Sequence, residues 1–133
     1  MPNNLNCPCG SGLLFAQCCE PFIKGNGTPP TAEKLMRSRY SAYVVQAADY
    51  LIDTTHSSTR RNHSKSAIME WSKSNQWLKL EVVEATENTV EFKAYFLDTR
   101  LKAQMHHEKS FFRKENERWF YVDGEFFNKV VLS

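Results

Sequence analysis

Leu78-Lys79-Leu80-Glu81-Val82, followed after a turn at Asn88 by Val90-Glu91-Phe92-Lys93-Ala94-Tyr95-Phe96, decides the fold. In both runs apolar side chains alternate with charged or polar ones, the period-two pattern of antiparallel strands with one face buried and the other wet. Trp77 marks the point where this period begins. Downstream, Lys102 to Lys114 is long enough for a third strand, and Arg118 to Asp123 makes a fourth, joined through Glu115-Asn116-Glu117. A two-residue turn there puts Glu108, Ser110 and Phe112 on one face with Trp119, Tyr121 and Asp123, whereas a three-residue turn brings His107 to that face instead.

Upstream the period lengthens. From Thr31, a residue suited to capping a helix, to about Ala48, the side chains Met36, Tyr40, Tyr43, Val44, Ala47 and Leu51 recur at three- and four-residue steps. They form one apolar stripe at about 100° per residue. Arg37 and Arg39 fall at opposite edges of the stripe, where their stems can lie along it. A shorter helix is expected from about Ser64 to Ser74, with Ala67, Ile68 and Trp71 as its apolar face, and Thr54 to Asn62 reads as a polar loop. Helices first and then a meander, with no βαβ alternation, is an α+β architecture in which a curved antiparallel sheet folds over its helices.

The four cysteines of the chain stand within thirteen residues, as Cys7-Pro8-Cys9-Gly10-Ser11-Gly12 followed by Cys18-Cys19. Bridges within either close pair would be strained, whereas one zinc ion accepts four thiolates in a closed tetrahedral shell with no open position for a catalytic water. Cys7, Cys9, Cys18 and Cys19 are therefore the expected ligands of a structural zinc. Gly10 and Gly12 supply the backbone freedom that a turn around a metal needs. Residues 1–23 form this cysteine motif, and Lys24-Gly25-Asn26-Gly27-Thr28-Pro29-Pro30 reads as a connector, because its glycines and prolines suit neither helix nor sheet. The α+β domain then occupies 31–133, with the cysteine motif as its appendage.

Composition bounds the function. The chain has 133 residues, 41% hydrophobic and 13% aromatic, enough for one core, and no apolar run approaches membrane-spanning length. A soluble cytoplasmic protein is expected, with no apolar signal segment ahead of Cys7. The formal charge of +2 falls to about zero with four thiolates and one divalent zinc, which argues against nonspecific nucleic-acid binding. A basic loop containing Arg60, Arg61, His63 and Lys65 is the sole feature favouring it.

The stretches Leu35-Met36-Arg37-Ser38-Arg39-Tyr40-Ser41-Ala42-Tyr43, Asp49-Tyr50-Leu51, Glu108-Lys109-Ser110-Phe111-Phe112 and Trp119-Phe120-Tyr121-Val122-Asp123-Gly124 resemble the YchJ family of uncharacterised bacterial proteins. The resemblance runs over nearly the whole chain. It implies a cysteine motif similar to the metal-binding tail of the SecA translocation motor, coupled to a nuclear-transport-factor-like (cystatin-like) α+β cone. It also implies Cys7, Cys9, Cys18 and Cys19 as the zinc ligands. The sequence departs from the family pattern in three places: it ends at Ser133 without a second cysteine motif, Leu13 and Leu14 stand where lysines are common, and Thr55 replaces a tryptophan before His56.

A cone of this type implies a pocket between helices and sheet, and the same fold hosts enzymes and binders alike. The candidate lining is Arg39 and Tyr40 from the helix, His56 from the loop, His107 and Glu108 from the third strand, and Tyr121 with Asp123 from the fourth. In structural roles, Arg39 pairs with Glu108 or Asp123 as a bridge from helix to sheet, and His106-His107 is a solvated pair. Two functions follow. One is a zinc-stabilised, non-catalytic module that binds a protein partner through the cysteine motif and a partner or small ligand in the cone. The other is a small isomerase or hydrolase working in the pocket, with zinc purely structural. Oxidation of the clustered thiols, with loss of metal, is a further possibility without separate support in the sequence.

Overall fold

The computed structural model describes residues 5–127. Thr31 accepts the backbone N–H of Lys34 at 3.1 Å and so caps α2, Ala32–Val44. The apolar stripe runs on past Val44, but the helix does not. Gln46 takes a left-handed φ of 63° and starts α3, Ala48–Asp53, in a new direction. Ahead of them lie a single 3-10 turn at Phe15–Gln17 and the short α1, Glu20–Ile23. The polar stretch after α3 contains one helical turn, α4, Ser57–Arg60, before α5, Lys65–Ser74, whose cap Ser64 accepts the N–H of Ala67 at 3.2 Å.

Four antiparallel strands follow in meander order: β1 Gln76–Ala85, β2 Thr89–Leu97, β3 Ala103–Glu115 and β4 Arg118–Phe126. The β2–β3 register sets Ala94 against His106, Phe92 against Glu108 and Val90 against Ser110, all six on the buried face. β1 departs from strict alternation. Its register shifts at Leu78 and Val83, which bulge out to 51% and 48% exposure, while Trp77, not Leu78, takes the inward position beside Leu80.

β3 and β4 are joined by a two-residue turn, Asn116-Glu117, with φ of 53° and 66° at its two positions. This is the mirror-image turn whose twist suits a hairpin. It places Phe112 opposite Tyr121 as expected, but Val122 then bulges and reverses the parity of the rest of β4. Asp123 is consequently exposed opposite Phe111, and Gly124 takes the inward place opposite Ser110.

The core lies between α2 and the sheet, built on Leu35, Met36, Tyr40, Leu80, Phe92, Phe112 and Trp119. The cysteine segment packs against it. Cys7, Cys9 and Cys19 are buried in the same cluster, Arg37 Nη1 donates to the carbonyl of Cys9 at 2.7 Å, and Cys7 Sγ lies 3.5 Å from Ser41 Oγ.

Candidate functional site

The cysteine cluster is shaped by its backbone. The N–H of Cys7 donates to the carbonyl of Leu13 at 2.8 Å, and the N–H of Gly10 returns to Cys7 at 3.2 Å, folding the segment on itself. Gly10 has a φ of +81° and sits against Leu80, where an added Cβ would lie 3.5 Å from the carbonyl oxygen. One Sγ from each of Cys7, Cys9, Cys18 and Cys19 falls within 4.8 Å of all the others, and no disulfide joins them. Cys9 to Cys18 is 3.7 Å and Cys18 to Cys19 is 3.9 Å. A tetrahedral ion with metal–sulfur bonds of about 2.3 Å requires sulfur–sulfur edges of about 3.8 Å, so the four residues fit a metal ion.

The clustered thiols also shift one another's ionisation. Thiol hydrogen bonds, first from Cys19 and then from Cys7, hold Cys9 far below the ordinary thiol range. Cys19, the partner in those bonds with Cys7 and Cys9, is driven far up. Cys18 is raised, chiefly by burial. Such a cluster cannot carry four negative charges without a cation among them.

On the other side of α2 a cavity of about 210 Å³ lies between helix and sheet. Its polar centre is Glu108, 5% exposed. Oε1 lies 2.7 Å from His106 Nε2, and Oε2 accepts the hydroxyls of Ser110 at 2.7 Å and Tyr121 at 2.9 Å. Burial first, and then the neighbouring Glu108, pushes the Tyr121 phenol well above its usual range, so it remains a donor. His106 Nδ1 is buried without a hydrogen-bond partner among the described residues.

Tyr121 is held from two sides. Its backbone N–H donates to Thr54 and its carbonyl accepts from the N–H of His56, at 2.8 and 2.7 Å, so the loop after α3 pairs with β4. The guanidinium of Arg39 stacks 4.4 Å above the ring. Arg39 Nη1 donates to the carbonyl of Leu51 at 2.9 Å and to the hydroxyls of Thr54 at 2.7 Å and Thr55 at 3.4 Å. The bridge expected from Arg39 to Glu108 or Asp123 does not form. Threonine hydroxyls, a carbonyl and an aromatic face take its place. His63 completes this corner 6.3 Å from the Tyr121 ring, its pKa lowered by burial first and by Arg39 second.

Of the candidate residues, Arg39, Tyr40, Glu108 and Tyr121 line the cavity, and His56, His107 and Asp123 do not. His56 caps α4 by accepting the N–H of Ser58 at Nδ1, which puts its proton on Nε2, 3.1 Å from Glu115. His107 points to the opposite face of β3, 2.7 Å from Glu91 and stacked on Phe127. Its neighbour His106 was read as solvated and is instead the inward one. The two-residue turn with its inward Glu108 carried that information, since residues of even number on β3 share Glu108's face.

These features define a class: a helix-on-sheet cone with an aromatic cavity on one side of its main helix and, on the other, four cysteines spaced to fit a metal ion. Residues 31–124 match the family model of the YchJ middle NTF2-like domain, and residues 4–21 match that of the SEC-C motif. The chain is 46% identical over 125 residues to a UPF0225 protein of Serratia proteamaculans, covering 89% of this chain and 81% of that one. It is 42% identical over 125 residues to a UPF0225 protein of Geobacter sulfurreducens, covering 89% and 77%. Among solved structures, it is similar to a SEC-C motif containing protein from Rhodopseudomonas palustris, with a TM-score of 0.85 and 35% identity over 93% of this chain and 100% of that chain. One from Psychrobacter arcticus has a TM-score of 0.77 and 30% identity, covering 98% and 88%. The chain belongs to the YchJ (UPF0225) family. No helix among the described residues is long and apolar enough to cross a membrane.

Proposed function

We propose that this chain is a non-catalytic binding module in which a structural zinc on Cys7, Cys9, Cys18 and Cys19 braces one wall of a small-ligand cavity. The observation that carries this reading is the double use of α2. Arg37 and Ser41 meet the cysteine segment, while Met36, Arg39 and Tyr40 line the cavity. Zinc in such a shell supplies a cross-link and charge neutralisation and leaves no site for a reactive water. Turnover in the cavity draws less support, because Glu108 already has three partners on a group with about four acceptor positions. Elemental analysis is expected to give about one zinc per chain, with no thiol reactive until the metal is chelated. Purified protein holding two disulfides and no zinc would refute the reading.

A protein partner on the cysteine segment is a second reading, supported by the groove beside Cys18 that Leu13, Phe22, Lys34 and Arg37 line, with Leu13 half exposed. Leu13→Asp should then prevent recovery of that partner from cell extract without changing metal content. Equal recovery by the variant removes it.

A further inference from the structure

Arg39 is 8% exposed and belongs to no ion pair with any carboxylate among the described residues. A buried permanent cation without a counter-charge is costly, and proteins pair such groups or give them a bound anion. The acid that lines the cavity makes no ion pair with Arg39. Glu108 is occupied by His106, Ser110 and Tyr121. The guanidinium is also only half used: all its hydrogen bonds leave from Nη1, toward Leu51, Thr54 and Thr55. Nη2 and Nε have no hydrogen bond within the described residues, and Arg39 lines the cavity.

The remaining walls say what accompanies the charge. Tyr40, Trp77, Phe92 and Phe112, with Met36 beside them, make the cavity largely apolar and aromatic. His63, at the same corner, has its pKa lowered by burial first and by Arg39 second, which disfavours a second cation there. One planar fork, in one mostly apolar cavity, matches one planar anion on an apolar body.

We infer that the cavity binds a small monocarboxylate with a flat or compact apolar body, its carboxylate taken by the free edge of Arg39. This rests on the ligand-binding reading of the cavity and adds the chemical class. The partial use of the fork then has a reason: Nη1 fixes the guanidinium to the loop after α3 while the other nitrogens face the ligand.

Three acid–amide pairs of equal shape test it on the intact, metal-loaded chain: benzoate with benzamide, phenylacetate with phenylacetamide, and cyclohexanecarboxylate with its amide. Binding is followed through the fluorescence of Trp71 and Trp77, both on the cavity wall, and through the Arg39 Nε–H resonance. At least one acid should bind about tenfold or more tightly than its amide, as a charge-assisted fork requires, and shift that resonance. Arg39→Gln should erase the difference. Because that variant loses the Nη1 bonds and can fail to fold, the comparison on the unaltered chain decides. Acids and amides binding alike, amides binding better, or acids binding without disturbing Arg39 overturn the carboxylate assignment and leave the cavity a binding site. No binding by any of the six overturns both.

Discussion

Gly124 is the place where a single methyl group should disable the polar centre of the cavity. The bulge at Val122 turns Gly124 inward beneath Glu108, and a Cβ built there would lie 2.7 Å from Glu108 Cδ, 2.9 Å from Cγ and closer still to Oε2. A flexible surface glutamate would swing aside at little cost. Glu108 cannot, since His106, Ser110 and Tyr121 hold it at 2.7 to 2.9 Å in a buried site. Overpacking costs about 1–3 kcal/mol, and pushing the carboxylate from its donors adds about 1.5–3 kcal/mol per hydrogen bond lost outright. With partial relaxation, Gly124→Ala should destabilise the chain by about 2–4 kcal/mol. Urea unfolding of a double-mutant cycle isolates the cause. In a Glu108→Ala background Gly124→Ala should cost at least about 1 kcal/mol less, and in a Glu108→Gln background, which keeps the bulk, the cost should persist. Additive effects in the Ala cycle, or a cost below about 0.5 kcal/mol for Gly124→Ala alone, would refute the reasoning.

Chelation of the metal should lower the unfolding midpoint of the whole chain, because Cys7, Cys9 and Cys19 share the core cluster with Leu35 and Leu80; an unchanged midpoint would show that the segment folds apart from the rest. Glu117 holds a φ of 66° that glycine adopts without strain, so Glu117→Gly should stabilise by about 0.5–1 kcal/mol in the same unfolding assay, and a loss of stability would contradict the turn assignment. His63 has a lowered pKa in the folded chain, so the unfolded chain binds more protons just below the ordinary imidazole value of about 6.5. Stability should therefore fall as pH drops through that value and level off below the depressed one. His63→Gln should flatten this part of the profile, and equal slopes for both proteins would count against it.

How far the sequence could be read depended on whether the period of each element stayed unbroken. β2 kept its alternation along its whole length, and Val90, Phe92, Ala94 and Phe96 are all buried. The cap at Thr31 fixed one helix start through side-chain chemistry that depends on local order alone. Failures came at single inserted residues. Leu78 looked like the first inward residue of β1 and is a bulge, and Val122 reversed the parity that had put Asp123 with Tyr121. Gln46 broke a stripe that the apolar spacing carried on to Leu51, through a backbone turn that no side-chain pattern announces.

Within the site, the cysteines were legible because close spacing brings them together locally, whereas strand parity left Glu108 and His107 as alternatives until the turn length was known. Arg39 was legible as a cation at the edge of the helix stripe, but its surroundings were not. Its bonds run to Leu51 in α3 and to Thr54 and Thr55 just after it, on a loop whose position depends on pairing with a strand far downstream in sequence, Thr55 with Tyr121. His106 was passed over for His107 because two adjacent histidines are distinguished only by which face of β3 turns inward.

The sheet also decides how another polypeptide could approach. An open outer strand invites a further strand to add to it, in aggregation or in partner capture. Along β1 the straight row of backbone groups that such addition needs is interrupted at both Leu78 and Val83, even though their side chains are exposed. Along β4 the N–H and carbonyl of Tyr121 are taken by Thr54 and His56, and the carbonyl of Val122 by the Thr59 hydroxyl at 2.8 Å. Exposed apolar groups thus flank borders that do not extend easily. At those positions recognition would rest on residue identity more than on shared backbone.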